Sequence, residues 1–334
     1  MAEYSPMMQH YLATKAEYKD CILFYRLGDF YEMFFDDALV VSKELELTLT
    51  GKDCGQEERA PMCGVPFHAA ETYINRLVSN GHKVAICEQM EDPKQAKGIV
   101  KREVIKVVTP GTNLNSQALD ETKNNYLMSI VYLGDVLGVA IADYSTGDFF
   151  VTEIETGAEL IDEINKFVPS EIILNEYFAM SGIDLTFISE KLSISVSTLE
   201  NWYFDDDSCK AKLKEHFHVN MLDGLGIKDY PVGIDAAGAL LIYLTQTQKS
   251  DMSHITSIVP YTTGKYMLID SSSRRNLELV ETMREKQKKG SLLWVLDKTK
   301  TAMGARALRN LVLQPLINRD EIIRRQDAIE ELSD

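Results

Sequence analysis

The residues best suited to chemistry lie in one short stretch, in which an acidic side chain stands among aromatic rings. The stretch is Gly28-Asp29-Phe30-Tyr31-Glu32, and it follows an apolar run, residues 21–25, that is typical of a buried strand. Because Asp is a preferred helix N-cap, the sequence predicts a strand, a tight turn and a helix whose first residues are Phe30, Tyr31 and Glu32. A side chain at such a corner projects from a rigid support.

The aromatic spacing also has a simpler interpretation. On a helix Phe30 pairs with Phe34 and Tyr31 pairs with Phe35, and the spacing alone favours four core rings. The two pairs need different environments, so one ring can still face a ligand. A core role for all four rings leaves the acidic Glu32 unexplained.

The sequence divides into three predicted regions, and the first of them contains this stretch. Residues 1–112 alternate between helix and strand patterns and predict a small mixed α/β domain, with a polar linker at residues 113–125. Residues 126–259 begin with three strands separated by turn residues and continue with alternating helices and strands, which resembles a ribonuclease-H-like α/β layer. Residues 260–334 have helical periodicity and stop without a closing element, so they predict the beginning of an all-α domain that is cut from something longer.

The first region beyond the aromatic stretch also has local patterns of helix, strand and loop. The predicted elements are a helix over residues 29–44, a strand over 45–49, a polar loop over 51–64, a helix over 68–80, and strands over 83–90 and 100–108. The polar loop ends in a segment with two prolines and Met62, which predicts a stiff loop.

The net charge of −16 is distributed unevenly along the chain. Residues 1–120 carry a net charge of −5, residues 121–259 carry −14, and residues 260–334 carry +3. Because a polyanion would avoid the acidic middle, the charge predicts separate domains with different partners.

The sequence lacks motifs for nucleotide or zinc chemistry. Gly51-Lys52 and Gly264-Lys265 have no glycine five positions upstream and no Ser or Thr after them, which excludes a P-loop. The histidines form no HExxH motif and the five cysteines form no CxxC pair, which favours reduced thiols in the cytoplasm over a disulfide framework or a zinc site. No apolar run approaches the roughly 18 residues that span a bilayer, and the N-terminus lacks signal-peptide features, so no membrane association is expected.

The first region combines three features that suit binding to duplex DNA from the minor groove: the aromatic corner at Phe30, the stiff loop around Met62, and a basic turn. The residues of the basic turn are Lys94, Lys97, Lys101 and Arg102. An aromatic wedge unstacks a base step at a cost on the order of a few kcal/mol, and stacking on the ring returns roughly 1–3 kcal/mol. The balance therefore favours sites where base pairing is already weak, and Glu32 beside the wedge can accept a hydrogen bond from a displaced base.

Carboxylates of the middle region give a second, enzymatic hypothesis. Ribonuclease-H-like folds can place such groups for two-metal hydrolysis of phosphodiesters. Asp143, at the end of the second predicted strand, is the candidate first ligand, and Glu163 and Asp235 could complete the set. Because acidic residues are abundant in this region, a solvated acidic face is the favoured alternative.

The stretch from Gly28 to Glu32 resembles the Phe-x-Glu mismatch-recognition motif of the MutS family of DNA mismatch repair proteins. Further blocks that stand in family order are Pro61-Met62-Cys63-Gly64-Val65-Pro66-Phe67-His68, Val84-Ala85-Ile86-Cys87-Glu88-Gln89, Val108-Thr109-Pro110-Gly111-Thr112, Arg275-Asn276-Leu277-Glu278-Leu279 and Gly290-Ser291-Leu292-Leu293. The resemblance covers the whole chain. It implies a mismatch-recognition domain, a connector domain and the start of the helical core (lever) domain.

The resemblance implies roles for individual residues. Phe30 would stack on the mispaired base and Glu32 would hydrogen-bond it, whereas Tyr31, Phe34 and Phe35 would pack beneath them. The loop around Met62 would approach the minor groove, and Lys97 and Arg102 would contact the DNA backbone. No catalytic role attaches to the connector, which argues against the nuclease hypothesis for Asp143.

The resemblance also implies partners that act outside this chain. The connector would contact MutL and relay signals to an ATPase domain, which uses ATP and Mg²⁺ and is missing here. The chain itself is therefore expected to hold no cofactor or metal and to be no enzyme. The full-length protein would be a cytoplasmic homodimer, and the fragment would be monomeric or weakly associated.

Overall fold

The computed structural model describes residues 4–91, 100–113 and 122–333. These residues form two compact units: the first comprises the described residues up to 113 with Tyr243–Asp251, and the second comprises those from 122 to Ile242 with those from Met252 to 333. No helix in the described ranges is long and apolar enough to cross a membrane.

The first unit is built on a six-stranded mixed sheet. Its elements are α1 Pro6–Glu17, β1 Cys21–Leu27, β2 Phe30–Phe34, α2 Phe35–Glu44, β3 Thr50–Lys52, β4 Ala60–Pro66, a 3-10 helix Phe67–Ala69, α3 Ala70–Ser79, β5 Lys83–Gln89 and β6 Arg102–Val108. The strand order is β3-β4-β2-β1-β5-β6, and β1 and β5 run parallel while every other neighbouring pair is antiparallel. The predicted helix at residues 68–80 and the strands at residues 83–90 and 100–108 are confirmed to within three residues at each end.

The prediction of a helix beginning at Phe30 is wrong, because β1 and β2 form a hairpin. Leu27 pairs with Phe30 across the two-residue turn Gly28–Asp29, and Gly28 has a φ of +57°. Glycine at the first central position is typical of a tight hairpin turn, so Asp29 is a turn residue here and not an N-cap. The helix α2 begins only at Phe35, which has a φ of +53°.

The strand predicted at residues 45–49 is wrong, and the loop predicted at residues 51–64 is confirmed only for residues 53–59. The chain enters β3 at Thr50, and the Pro-Met segment is itself the strand β4, paired with β2 on one side and with β3 on the other. Pro61 lacks the N–H that a sheet interior requires. It is tolerated because its partner β3 is a short edge strand of three residues.

The second unit contains another six-stranded mixed sheet, with strand order β11-β10-β7-β8-β9-β12. Its elements are β7 Tyr126–Leu133, β8 Val136–Asp143, β9 Asp148–Ile154, α4 Gly157–Phe167, β10 Glu171–Asn175, a 3-10 helix Glu176–Ser181, α5 Thr186–Leu192, β11 Ser195–Leu199, a 3-10 helix Asn201–Phe204, α6 Asp206–His216, a 3-10 helix Leu222–Leu225, α7 Pro231–Gln248 and β12 Val259–Pro260. The part of α7 up to Ile242 belongs to the second unit. The predicted three-strand meander is confirmed as β7–β8–β9, and the later strands join in parallel. The N-terminal end of α7 is bound by Glu153 of β9, whose Oε1 accepts from the amides of Val232 and Gly233 at 2.6 and 2.9 Å.

The rest of the second unit is helical, as predicted. Its helices are α8 Ser271–Asn276, α9 Leu292–Leu296, α10 Ala302–Leu313 and α11 Arg319–Ser333. Arg274 of α8 donates to the carbonyl of Asn165 in the last turn of α4, where a cation is favoured by the helix dipole. The predicted fold class, two mixed α/β layers followed by helices, is confirmed.

Candidate nucleic-acid interface

The candidate site lies at one end of the first sheet. Strand direction brings four features to that end: the hairpin turn after β1, the end of β4, the end of β5 and the start of β6. Three large apolar side chains are exposed there, Phe30 (46%), Phe67 (43%) and Met90 (49%). Apolar groups gathered at one exposed edge are typical of a binding surface.

Phe30 and Glu32 share one face of β2, because successive strand side chains alternate. Glu32 pairs with Gly64 of β4, where the two strands approach closely. A Cβ atom added at Gly64 would lie 3.4 Å from Glu32 Cγ and 3.2 Å from the Tyr31 carbonyl oxygen. The Glu32 carboxylate accepts from Lys52 Nζ at 2.5 Å. An ion pair thus fixes the carboxylate two residues from the exposed ring.

The opposite face of β2 is buried and rigid. Tyr31 and Met33 lie in the hydrophobic core beneath α2 and α3. The Tyr31 hydroxyl donates to Glu88 Oε1, and burial together with the Glu88 charge raises the tyrosine pKa. Phe34, on the face of Phe30, is buried edge-on against Tyr11 with ring centroids 4.8 Å apart. Phe30 therefore projects from a strand whose neighbouring side chains are immobilised.

The prediction of an exposed loop around Met62 is wrong. Met62 lies within the strand β4. It pairs with Phe34 and Thr50 and packs on the hydrophobic core that contains α1. The residue of β4 that pairs with Phe30 is Pro66, four positions further along the strand. A rise of about 3.3 Å per residue separates Met62 from the exposed end by about 13 Å.

The predicted basic turn is described only in part. Lys94 and Lys97 lie outside the described residues. Arg102 is 8% exposed, and its guanidinium donates to the carbonyls of Arg26 and Val100, both at 2.8 Å. Arg102 therefore connects β6 to β1, and a contact between Arg102 and a DNA backbone stays a prediction.

Three residues of this site were not singled out in the sequence: Lys52, Phe67 and Arg26. Lys52 is 20 residues from its ion-pair partner Glu32, and Arg26 is 62 residues from its partner Glu88. Such pairs become visible only when the strand order is known. Phe67 did have a local signal, because it follows Pro66 within one of the quoted blocks.

Comparison with known families settles the ancestry of these units. Family models described as MutS domain I, MutS domain II and MutS domain III match residues 5–117, 125–256 and 272–334. The chain belongs to the MutS family. The resemblance stated from the quoted blocks is confirmed.

Curated MutS relatives match the chain throughout. The DNA mismatch repair protein MutS of Lachnoclostridium phytofermentans is 65% identical over 334 residues, which is 100% of this chain and 36% of that protein. The proteins of the same name from Ruminiclostridium cellulolyticum and Acetivibrio thermocellus are 56% and 54% identical, over 99% and 100% of this chain and 38% of each of them. The chain thus spans somewhat more than a third of the length of these relatives.

The acidic residues proposed as metal ligands in the MutS domain II region are not gathered into one group in the described structure. No group of three or more His, Cys, Asp or Glu that could hold a metal ion occurs in the described part of the chain. Asp143 accepts from the Asn125 and Ser145 amides, and Glu163 pairs with Lys166 at 3.0 Å and accepts from the Tyr261 hydroxyl at 2.6 Å. The nuclease hypothesis is not supported.

The favoured alternative, a solvated acidic face, is wrong for the same carboxylates. Asp143, Glu163 and Asp235 are all buried. Asp235 lies near Asp206, and its buried Oδ1 has no hydrogen-bond partner among the described residues. Burial, and then the Asp206 charge, raise the pKa of Asp235 from 3.8 to about 7.

We expect Asp235→Asn to stabilise the second unit at alkaline pH. A carboxyl whose pKa is raised in the folded state favours folding when it is protonated, so the wild-type unit should lose stability as the pH rises from about 4 to about 7. The amide that replaces the carboxyl would not titrate. The variant should gain about 1–2 kcal/mol in free energy of unfolding at pH 8 and much less at pH 5, measured by urea-dependent hydrogen exchange of α7 amides. An equal gain at both pH values would contradict the titration.

Proposed function

We propose that this chain recognises mispaired or unpaired bases in duplex DNA during DNA mismatch repair. The observation that carries the proposal is the exposed Phe30 ring at the end of a rigid hairpin, with the Glu32 carboxylate on the same face. It is supported by the name of the relatives, DNA mismatch repair protein MutS, and by the matching domain I model.

Phe30 would enter the minor groove and stack on the mispaired base. Unstacking a base step costs on the order of a few kcal/mol, and stacking on an aromatic ring returns roughly 1–3 kcal/mol. At a matched pair, insertion of the ring also costs the free energy of unpairing the bases. A mispair has little pairing energy left to lose, so this cost is small there. The ring would therefore select deformable sites and not a particular sequence.

Glu32 would contribute selectivity in two ways. Its carboxylate can accept a hydrogen bond from a displaced base, with Lys52 holding its orientation. The same negative charge opposes close approach of phosphates, so insertion is favoured only where the base contact compensates. Neither contact needs a cofactor or metal in this chain.

The remaining parts of the function depend on the rest of a full-length protein. We propose that domain II contacts MutL and relays DNA binding to an ATPase that uses ATP and Mg²⁺, in a cytoplasmic homodimer. The net charge of −14 over residues 121–259 favours a protein partner over DNA for this region.

The test is a binding titration of a full-length protein that carries this chain. Three duplexes of the same length would be compared: one with a mispair, one with a single unpaired base, and one fully matched. The proposal expects the first two to bind at least about tenfold more tightly than the third. Equal affinity for all three would refute it.

Glu32→Gln is expected to reduce this discrimination by strengthening binding to matched DNA. Removing one negative charge next to the backbone should raise matched-duplex affinity about 3–10-fold at low salt, while mispaired DNA also loses the carboxylate contact. Fluorescence anisotropy at two salt concentrations would measure both affinities. The matched control is Glu17→Gln, an exposed change beside the start of β1, at the other end of the sheet.

A further inference from the structure

Phe67 is exposed and yet held firmly in place. It follows Pro66 at the end of β4, and its amide donates to the carbonyl of Asp29 in the hairpin turn at 2.9 Å. The Phe67 ring lies on the guanidinium of Arg26, with 3.7 Å from Arg26 Cζ to the ring centroid. A cation–π contact at this distance fixes the plane of the ring while 43% of the residue stays accessible.

The cation beneath the ring is itself immobilised. Arg26 Nε donates to the carbonyl of Gly28 at 2.5 Å, and Nη1 contacts Glu88 Oε1 at 3.4 Å. The same Glu88 oxygen accepts from the Tyr31 hydroxyl. A chain of contacts thus runs from the buried Tyr31 to the exposed Phe67, and it includes the hairpin turn that carries Phe30.

The two exposed rings stand on opposite faces at the same end of the sheet. Arg26 pairs with Tyr31 across the hairpin, so Arg26 and the Phe67 ring lie on the Tyr31 face, whereas Phe30 lies on the Glu32 face. Phe67 is tied to the turn that carries Phe30, because the Phe67 amide donates to the carbonyl of Asp29. A duplex that receives Phe30 must therefore lie against the end of the sheet where Phe67 is displayed.

We propose that Phe67 is a second DNA-contacting ring, positioned by Arg26, that packs on the sugar and base edges beside the step entered by Phe30. The inference rests on the proposed function. An exposed ring oriented by a fixed cation loses little conformational entropy on binding. A minor groove lined by sugar C–H groups offers the apolar surface that the ring lacks in the free protein.

A purely structural role for Phe67 makes a different prediction. Phe67 also lines a cavity of about 320 Å³ together with Tyr31, Ile74 and Lys106. If the ring served only to cover this cavity, its removal would change the stability of the first unit and leave DNA affinity unaltered.

The first experiment compares Phe67→Ala with Leu39→Ala in a full-length protein that carries this chain. Leu39 is 47% exposed on α2, away from the hairpin end, and so is a matched loss of exposed apolar surface. Phe67→Ala should weaken binding to a mispaired duplex about 5–20-fold, with little change in the hydrogen exchange of first-unit amides, and Leu39→Ala should change neither. Wild-type affinity of Phe67→Ala would overturn the inference.

Phe30→Ala measured in parallel separates this inference from the proposed function. If Phe30→Ala loses mismatch binding and Phe67→Ala does not, only the second contact is wrong. If the unaltered protein shows no preference for mispaired DNA, the proposed function itself fails.

A fluorescence experiment decides the case in which Phe67→Ala does not fold. Phe67→Trp keeps an aromatic ring on Arg26, and wild-type protein corrects for the signal of Trp202 and Trp294. Addition of mispaired duplex should quench or shift the new emission, whereas Leu39→Trp should stay unchanged. An unaltered Phe67→Trp spectrum at saturating DNA would overturn the contact.

Discussion

Phe30→Ala is expected to weaken binding of a full-length protein to mispaired DNA by about 10–100-fold, while its affinity for matched DNA changes less than about threefold. The ring is the only part of the proposed wedge that can stack on a base. Its loss therefore removes the stacking free energy that offsets the cost of unstacking the base step. Matched duplex gains little from the ring, because phosphate contacts dominate binding there.

The folded structure should tolerate this change well. Phe30 is exposed at the first position of β2, and the hairpin is held by Tyr31, Met33 and the Gly28–Asp29 turn instead. A surface substitution away from packed contacts usually alters stability by less than about 0.5 kcal/mol. Loss of mismatch binding could then not be attributed to unfolding.

Competition binding on mispaired and matched duplexes of the same length would measure the effect. Phe30→Tyr keeps a stacking ring and should retain most of the selectivity, whereas Phe30→Leu keeps apolar bulk and should lose it in large part. Equal losses on both duplexes for Phe30→Ala would exclude the wedge role.

Phe30 and Glu32 could be singled out from the sequence, but the strand that presents them could not. Phe30 and Glu32 were singled out by residue type, which the error in secondary structure did not affect, although residues two apart on a helix do not share a face. The error did change which side chains surround them, because alternation places Glu32 on the face of Phe30 and Tyr31 on the other. The prediction failed because Gly28-Asp29 is compatible with both a hairpin turn and a helix start.

Non-local pairing limits the prediction of the remaining site residues. The contacts of Arg26 and Tyr31 with Glu88 join residues 62 and 57 positions apart, and they exist only because β1 lies between β2 and β5. The burial of Arg102 was not predicted for the same reason: its place beside Arg26 depends on the pairing of β5 with β6. In domain II, by contrast, short turns such as Gly134-Asp135 made the meander predictable from local signals.

The abundance of acidic residues in domain II did not predict that some of their carboxylates are buried. Because Asp143 is buried, a substitution there should change stability. Asp143 is fully buried at the end of β8, where one carboxylate accepts from the amides of Asn125 and Ser145, from the Ser145 hydroxyl and from Asn124 Nδ2. These bonds close the turn into β9 and tie it to the segment that enters β7. The residue has the environment of a structural group and not of a metal ligand.

Asp143→Ala should therefore destabilise the second unit by about 2–4 kcal/mol, because two buried amide donors lose a charged acceptor. Urea-dependent hydrogen exchange of the amides of β7–β9 would measure the loss within a longer protein, where a single melting temperature is ambiguous. The control is Glu155→Ala, an exposed acidic residue just after β9, which should change the free energy of unfolding by less than about 0.5 kcal/mol.

The same pair of variants separates a structural Asp143 from a catalytic one. A metal ligand in a polar site can be replaced with loss of cleavage and little loss of stability, since unpaired ligands repel one another when no ion is bound. A buried acceptor behaves in the opposite way: stability falls, and no Mg²⁺-dependent or Mn²⁺-dependent cleavage of DNA or RNA is present to be lost. Unchanged exchange rates in Asp143→Ala would contradict the structural role, because the Asn125 and Ser145 amides would then have to find other acceptors without cost.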